Sequence, residues 1–211
     1  MMPATVSRDL RLWVVKPGSL QRDDSSEILD ARSTVTLIES GQIHILVDSG
    51  LAGEEEKILS GLDGIGIVPE DIEILVNTHQ HFDHTGNNHL FTSARWLYGT
   101  ELDGLGIAPG VRIAATPGHT MDSISVVCHS SLRAVIAGDA LPTMDNFLKD
   151  LPPRIHVDRW LAMDSLHRIA NMADLVVPGH DHSFSISERN YVTLEGLGEA
   201  THAEGGRRGR M

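Results

Sequence analysis

Short apolar or alternating segments recur along the chain, and most of them end at glycine, proline or adjacent serines. A period of two residues is typical of strands buried on one face, and a continuous apolar run is typical of strands inside a sheet. The pattern predicts strands at residues 10–16, 33–39, 42–47, 72–76, 94–98, 111–116, 123–129, 132–137 and 175–177.

Two segments instead show the period of an amphipathic helix. Residues 53–62 combine three glutamates, which favour a helix N-terminus, with an apolar stripe of Ile58, Leu59 and Leu62. Residues 158–172 form the second predicted helix, and Asp158 can cap it. The predicted buried stripe of this helix is Trp160, Leu161, Met163, Leu166, Ile169 and Ala170.

Three segments show neither period and are predicted to be loops. Residues 19–32 are polar and charged, which favours a surface loop, and residues 99–110 are rich in glycine. Residues 140–157 have loop composition with a methionine and a phenylalanine. Two interpretations of that last segment stay open: it shapes a substrate pocket, or it packs without touching substrate.

A cluster of metal-binding side chains follows the predicted strand at 72–76, namely His79, His81, Asp83 and His84. His79 and His81 are two positions apart, so they point to one side of an extended chain and can bind one ion. Asp83 and His84 follow where the chain turns, and they can face a second ion. Imidazoles with one carboxylate suit zinc, iron or manganese and not calcium. The alternative, a polar loop with scattered histidines, is disfavoured by such dense spacing.

This segment resembles the signature of the metallo-β-lactamase-fold hydrolases. Three further motifs occur in the order that the family shows: Thr116-Pro117-Gly118-His119-Thr120, Ala137-Gly138-Asp139-Ala140 and Val177-Pro178-Gly179-His180. The resemblance implies an α/β fold, a four-layer αβ/βα sandwich. The sequences of these motifs most resemble those of the group of metallo-β-lactamase domain-containing protein 1. We expect a single domain over residues 1–190, followed by a flexible C-terminal tail over residues 191–211.

Carried over by position, the resemblance implies two metal sites. The ligands would be His79, His81 and His119 at the first site, Asp83, His84 and His180 at the second, and Asp139 as the bridge between them. Asp48 matches an aspartate that orients a ligand from behind the metals. Gln80 stands where the flavodiiron branch carries a glutamate ligand, so the chain resembles the hydrolytic branch. The stretch after Asp139 lacks the Gly-Cys-Gly-basic sequence of glyoxalase II and the persulfide dioxygenases, which disfavours their substrates.

Composition and charge narrow the choice of partners. Seventeen basic and 29 acidic residues give a net charge of −12, which disfavours nucleic acid as a partner. A nuclease whose metals contact the phosphate directly stays open. No run approaches the roughly 20 apolar residues of a membrane span. Cys128 is the single cysteine, and the N-terminal residues do not resemble a signal peptide, so we expect a cytoplasmic protein without disulfides.

Seven candidate ligands exceed the four that a tetrahedral ion needs, so we expect two divalent metal ions about 3.5–4 Å apart. Zinc is favoured, and iron and manganese are compatible with the ligands. The expected activity is hydrolysis of a small-molecule ester, thioester or lactone by a bridging hydroxide, with Asp83 as the catalytic proton acceptor. Two alternatives stay open: a metal-dependent phosphodiesterase or nuclease, and a non-catalytic metal-binding protein. The sequence carries no signal for an oligomeric state.

Overall fold

The computed structural model describes residues 10–25 and 27–194. Within those ranges the strands are β1 (Leu10–Lys16), β2 (Ser19–Arg22), β3 (Ile28–Arg32), β4 (Val35–Ser40), β5 (Ile43–Val47), β6 (Ile74–Val76), β7 (Arg95–Leu97), β8 (Gly106–Ala108), β9 (Val111–Ala115), β10 (Ile124–His129), β11 (Arg133–Gly138), β12 (Leu175–Pro178) and β13 (Phe184–Ser185). The α-helices are α1 (Glu55–Asp63), α2 (Phe82–Thr85), α3 (Met144–Lys149) and α4 (Arg159–Met172). None of these helices is long and apolar enough to cross a membrane.

Two sheets form the middle of the molecule. The first has five strands in the order β1-β4-β5-β6-β7, and the second has six in the order β13-β12-β11-β10-β9-β8. β5, β6 and β7 run parallel to one another, as do β11 and β12, while the remaining pairs in both sheets are antiparallel. The strands β2 and β3 form a separate two-stranded hairpin.

Three apolar clusters lie between four layers. The largest contains side chains of both sheets, such as Ile38 and Val126, and so fills the space between the sheets. A second cluster joins the outer face of the five-stranded sheet to Ile58 and Leu62 of α1, and a third joins the six-stranded sheet to α4. Alternation along each strand sends successive side chains to opposite clusters. The predicted four-layer αβ/βα sandwich is therefore confirmed.

The candidate site residues follow the carboxyl ends of five strands. Asp48 comes directly after β5, and His79 follows β6 by three positions. In the other sheet His119, Asp139 and His180 follow β9, β11 and β12. Because these strands end at the same edge of the sandwich, short turns deliver the side chains to one place.

Regular structure occurs in all three segments that were predicted to be loops. Residues 19–32 form the hairpin of β2 and β3, in which Leu20 pairs with Ala31. The polar composition of these residues gives no strand pattern, because only one face of the short hairpin contacts the rest of the protein. Residues 140–157 contain α3, which Thr143 caps: its side chain accepts a hydrogen bond from the Asn146 backbone N–H. Residues 99–110 contain β8 and a 3-10 turn.

The second predicted helix is confirmed, but its buried face was predicted wrongly in part. Asp158 caps α4 by accepting hydrogen bonds from the backbone N–H groups of Trp160 and Leu161. Leu166 and Ile169 are buried as predicted, whereas Trp160 is 78% exposed. The buried face of the first turns is instead formed by the small residues Ala162 and Ser165, so Trp160 points away from the protein.

The packed chain extends beyond residue 190. Val192 and Leu194 lie in the predicted tail, and both are buried against the cluster between the sheets. Residues 195–211 of that predicted tail lie outside the described residues.

Candidate metal centre

Three imidazole nitrogens form a tight triangle at the edge of the sandwich. His79 Nε2 lies 3.0 Å from His81 Nδ1, and His119 Nε2 lies 3.2 Å and 3.0 Å from these two atoms. Zinc–nitrogen bonds of 2.0–2.1 Å in a tetrahedron separate two ligand atoms by about 3.3 Å. The spacing of the three nitrogens therefore fits a single ion at their centre.

Hydrogen bonds on the far side of two rings assign their tautomers. His119 Nδ1 donates to the Ile155 carbonyl at 2.7 Å, so its Nε2 carries a lone pair. His79 Nδ1 lies 3.2 Å from the Thr78 hydroxyl, which itself donates to Asp48 at 2.8 Å. The hydroxyl must then accept from His79, whose Nε2 is also unprotonated. The ligand atoms of a metal site direct unprotonated lone pairs at one position, and the Nε2 atoms of His79 and His119 do so here.

Asp83, His84 and His180 form the second group. The carboxylate Oδ2 of Asp83 lies 3.4 Å from His180 Nε2 and 3.7 Å from His84 Nε2. His84 Nδ1 donates to Asp48 at 2.8 Å, and His180 Nδ1 donates to the Arg32 carbonyl at 2.9 Å. Both rings thus turn Nε2, the nitrogen that these two hydrogen bonds leave free, toward Asp83.

The Asp139 carboxylate lies between the two groups. Its Oδ2 is 3.5 Å from His119 Nε2, and its Oδ1 is 3.4 Å from His84 Nε2. Among the described residues, His84 Nε2 and Asp139 Oδ1 are buried without a hydrogen-bond partner. Such unsatisfied atoms are costly in a folded protein unless an ion or water binds them. These donors fit divalent cations on either side of Asp139.

Two glycines allow the backbone to approach this centre. A Cβ atom at Gly179 would overlap the Oδ1 atom of Asp139. Gly138 has a φ of +50°, and a Cβ there would lie 2.5 Å from the Thr78 hydroxyl. A larger residue at either position would displace a side chain of the centre, which explains why glycine precedes both His180 and Asp139.

The electrostatic environments of the two histidine groups differ. Burial lowers the pKa of His79 well below its usual value, and it also lowers the pKa of His119. Burial opposes the charged form of His84 too, but the carboxylates of Asp48 and Asp139 raise its pKa well above the usual value. For His180, the Asp139 carboxylate likewise overcomes burial and raises the pKa. The carboxylates thus favour positive charge at the second group.

A small cavity of about 110 Å³ opens above the two groups. One wall comes from the hairpin of β2 and β3, through Leu20, Ile28 and Ala31. The opposite wall comes from the segment before α4, through Pro153 and Ile155. The two segments predicted to be loops therefore form the entrance to the metal centre.

Comparison with known proteins places these features in a family. Residues 30–99 match the metallo-beta-lactamase superfamily. Metallo-beta-lactamase domain-containing protein 1 of Mus musculus is 32% identical over 213 residues, covering 91% of this chain and 81% of its own length. The chain belongs to the metallo-beta-lactamase superfamily.

Other superfamily members extend this similarity to enzymes of stated activity. An N-acyl homoserine lactonase of Bacillus sp is 26% identical over 233 residues, covering 81% of this chain and 93% of the lactonase. A solved structure of a quorum-quenching N-acyl homoserine lactone hydrolase superposes with a TM-score of 0.64 at 23% identity, covering 85% of this chain and 94% of its own. The chain is a hydrolase of the superfamily and is similar to the group of metallo-beta-lactamase domain-containing protein 1.

The structure brings together all seven side chains that the sequence motifs selected. They fall into three overlapping groups whose ligand atoms lie within 4.8 Å of one another, namely His79 with His81 and His119, His79 with His84 and Asp139, and Asp83 with His84 and His180. His182, which lies two residues after His180, joins none of the groups formed by the described residues. Sequence reasoning missed Thr78 and the carbonyls of Arg32 and Ile155, and backbone atoms leave no signal in a sequence.

Proposed function

We propose that the seven side chains hold two divalent cations and that the chain hydrolyses a small ester, thioester or lactone. The position of Asp139 carries the proposal. Its two oxygens face His119 and His84 at 3.5 Å and 3.4 Å, so one carboxylate can serve a cation on each side.

In this proposal each group has a defined role. His79, His81 and His119 would hold the first cation, Asp83, His84 and His180 would hold the second, and Asp139 would serve both. Nitrogen and carboxylate donors suit zinc, and they are also compatible with iron and manganese. Asp48 and Thr78 keep the imidazoles in the tautomer that can bind metal.

When bound, the two cations would supply an ionised water as nucleophile and polarise the carbonyl of the substrate. Asp83 is the proposed catalytic residue of the chain itself. A carboxylate oxygen of Asp83 would accept the proton that remains on the ionised water after it attacks, and would pass it to the leaving group as the bond to the acyl carbon breaks. Its side chain is 20% exposed, so it can reach substrate in the cavity.

The cavity supports a small substrate. Its volume of about 110 Å³ and its apolar wall of Leu20, Ile28 and Ala31 suit a short acyl group. The Bacillus relative is named for the hydrolysis of an acylated lactone, which is a substrate of this class.

Elemental analysis followed by a substrate panel tests the proposal. The purified protein should contain two metal ions per chain and should hydrolyse members of a set comprising 4-nitrophenyl acetate, an aryl thioester and an N-acyl lactone. A chelator should abolish turnover, and zinc should restore it. Preferential cleavage of bis(4-nitrophenyl) phosphate would indicate a phosphodiesterase, and full metal content without turnover would indicate a binding protein.

Asp139→Ala tests the bridge separately. Removing the shared carboxylate should lower the metal content from two ions toward one, while the unliganded fold survives because Asp139 lies at a strand end. Two ions bound to this variant with wild-type affinity would refute the bridging role.

A further inference from the structure

A second, larger groove adjoins the cavity of the metal centre. Its volume is about 1000 Å³, and it runs between the hairpin of β2 and β3 and the segment that contains α3. Arg22, Arg154 and His180 line both the groove and the metal cavity. A ligand in the groove can therefore extend one end to the metal centre.

The groove is basic in a chain that is strongly acidic. Its permanent cations are Arg22, Lys149, Arg154 and Arg159, and its carboxylates are Asp145 and Asp181. The chain as a whole carries 17 basic and 29 acidic residues. Basic side chains are thus concentrated beside the metal centre, and a concave surface of one sign attracts ligands of the other sign.

Both carboxylates of the groove already have partners. Asp145 accepts from Lys149 at 2.6 Å, and Asp181 accepts from the Tyr191 hydroxyl at 3.0 Å and from the Met144 backbone N–H at 3.1 Å. Arg154 reaches Glu27 on the hairpin at 3.2 Å, but both side chains are exposed, and such a pair is weak.

Arg22 and Arg159 differ from these residues. Within the described part of the chain, neither guanidinium makes an ion pair or a side-chain hydrogen bond. Arg22 lies where the groove meets the metal cavity, and Arg159 lies further along the groove. A guanidinium presents several N–H donors in a fork that matches a carboxylate or a phosphate.

We propose that this groove binds an anionic group carried by the substrate, with Arg22 as its principal contact. The substrate would then be an ester, thioester or lactone with a carboxylate or phosphate on the part remote from the bond that is hydrolysed. This inference rests on the proposed function, and it specifies in addition that the substrate is negatively charged. A polynucleotide fits less well, because the net charge of −12 opposes a long polyanion outside the groove.

Two matched esters provide the test with the metal-loaded protein. The mono-4-nitrophenyl ester of adipic acid and 4-nitrophenyl hexanoate share the leaving group and the number of acyl carbons, and only the first carries a remote carboxylate. We expect a lower KM for the adipate ester. Arg22→Gln should raise this KM by roughly tenfold more than it raises the KM of the hexanoate, which corresponds to the loss of one charge-assisted contact.

Arg95→Gln is the matched control. Arg95 is an exposed arginine on β7 outside the groove, so this variant makes the same change in net charge. Its ratio of the two KM values should equal that of the wild type. Equal KM values for the two esters in the wild-type enzyme, or equal effects of Arg22→Gln and Arg95→Gln, would overturn the proposal.

Further measurements separate this proposal from its alternatives. An ester that ends in a phosphonate shows, by a lower or higher KM than the adipate ester, whether the groove prefers a phosphate-like or a carboxylate group. Salt-sensitive binding of a single-stranded oligonucleotide that Arg22→Gln abolishes would overturn the small-substrate proposal. If no ester, thioester or lactone is hydrolysed, the proposed function fails, and calorimetric binding of adipate to wild type and to Arg22→Gln still tests the groove.

Discussion

The Asp48 carboxylate accepts hydrogen bonds from His84 Nδ1 at 2.8 Å and from the Thr78 backbone N–H at 2.7 Å. Asp48 has a φ of 60°, a conformation that asparagine also adopts readily, so Asp48→Asn should keep the backbone. The amide, however, cannot accept every hydrogen bond that Asp48 accepts. We expect the metal affinity to fall by about 10- to 100-fold.

Competition with a chromogenic chelator measures this affinity. Asp63→Asn is a suitable control, because Asp63 is an exposed aspartate at the end of α1. Unchanged affinity in Asp48→Asn would show that the carboxylate does not orient His84 for metal.

Asp83→Ala should nearly abolish turnover while leaving the fold intact. Loss of a general acid or base lowers kcat by about 10² to 10⁴-fold. The fold should survive because Asp83 is partly exposed and its neighbours are site residues. Initial rates, circular dichroism and metal content should be measured together. Wild-type turnover at full metal content would exclude Asp83 from catalysis.

Acidification should release the two metal ions at different pH values. A histidine must be neutral to bind metal, so a proton competes better where the pKa is raised. Asp48 and Asp139 raise the pKa of His84, and Asp139 raises the pKa of His180, whereas burial lowers the pKa of His79 and His119. As pH falls, the ion of the second group should leave first. Elemental analysis after dialysis at decreasing pH should show two steps.

Single-site variants assign these steps. His180→Ala should retain only the ion that resists acid, and His119→Ala should retain only the acid-sensitive ion. In the metal-free protein, low pH has the opposite effect at His84, because there it stabilises the fold. Its raised pKa stabilises the fold below the usual histidine pKa of about 6.5, and this contribution is lost as pH rises through the raised value. Release of both ions in one step, with identical midpoints in the two variants, would contradict the assignment.

Gly179→Ala should disrupt the centre through its Cβ atom. The added methyl overlaps Asp139 Oδ1, so Asp139 must move away from His84 and His180. Overpacking of this kind costs about 1–3 kcal/mol of unfolding free energy. Gly106→Ala is the control, because its Cβ would meet no atom within 4 Å. Denaturant titration with and without zinc should show a larger loss for Gly179→Ala than for Gly106→Ala, and equal losses would refute the steric argument.

The composition of the site was predictable because its side chains follow strand ends. His79, His119 and His180 each come within a few residues of an apolar run, and strands of one sandwich end at a common edge. Periodicity located those runs. The motif residues then needed only the fold to bring them together.

Other features could not be read from local pattern. The stripe predicted for α4 included Trp160, but the buried positions belong to the small residues Ala162 and Ser165, which a hydrophobic pattern does not select. The hairpin of β2 and β3 gives no clear strand pattern in the sequence, because its apolar face is only a few residues wide. Arg22 and Arg154 meet beside the metal cavity from distant parts of the chain, and neither has an unusual sequence context.

The first histidine group draws on both sheets: His79 and His81 follow a strand of the five-stranded sheet, whereas His119 follows a strand of the six-stranded sheet. Neither half of the sandwich can complete the coordination alone. An ion bound there would cross-link the two sheets. The free energy of its binding would stabilise the protein only after the two halves have docked. Removal of the metal should therefore weaken the packing between the two sheets before it affects the structure within either half.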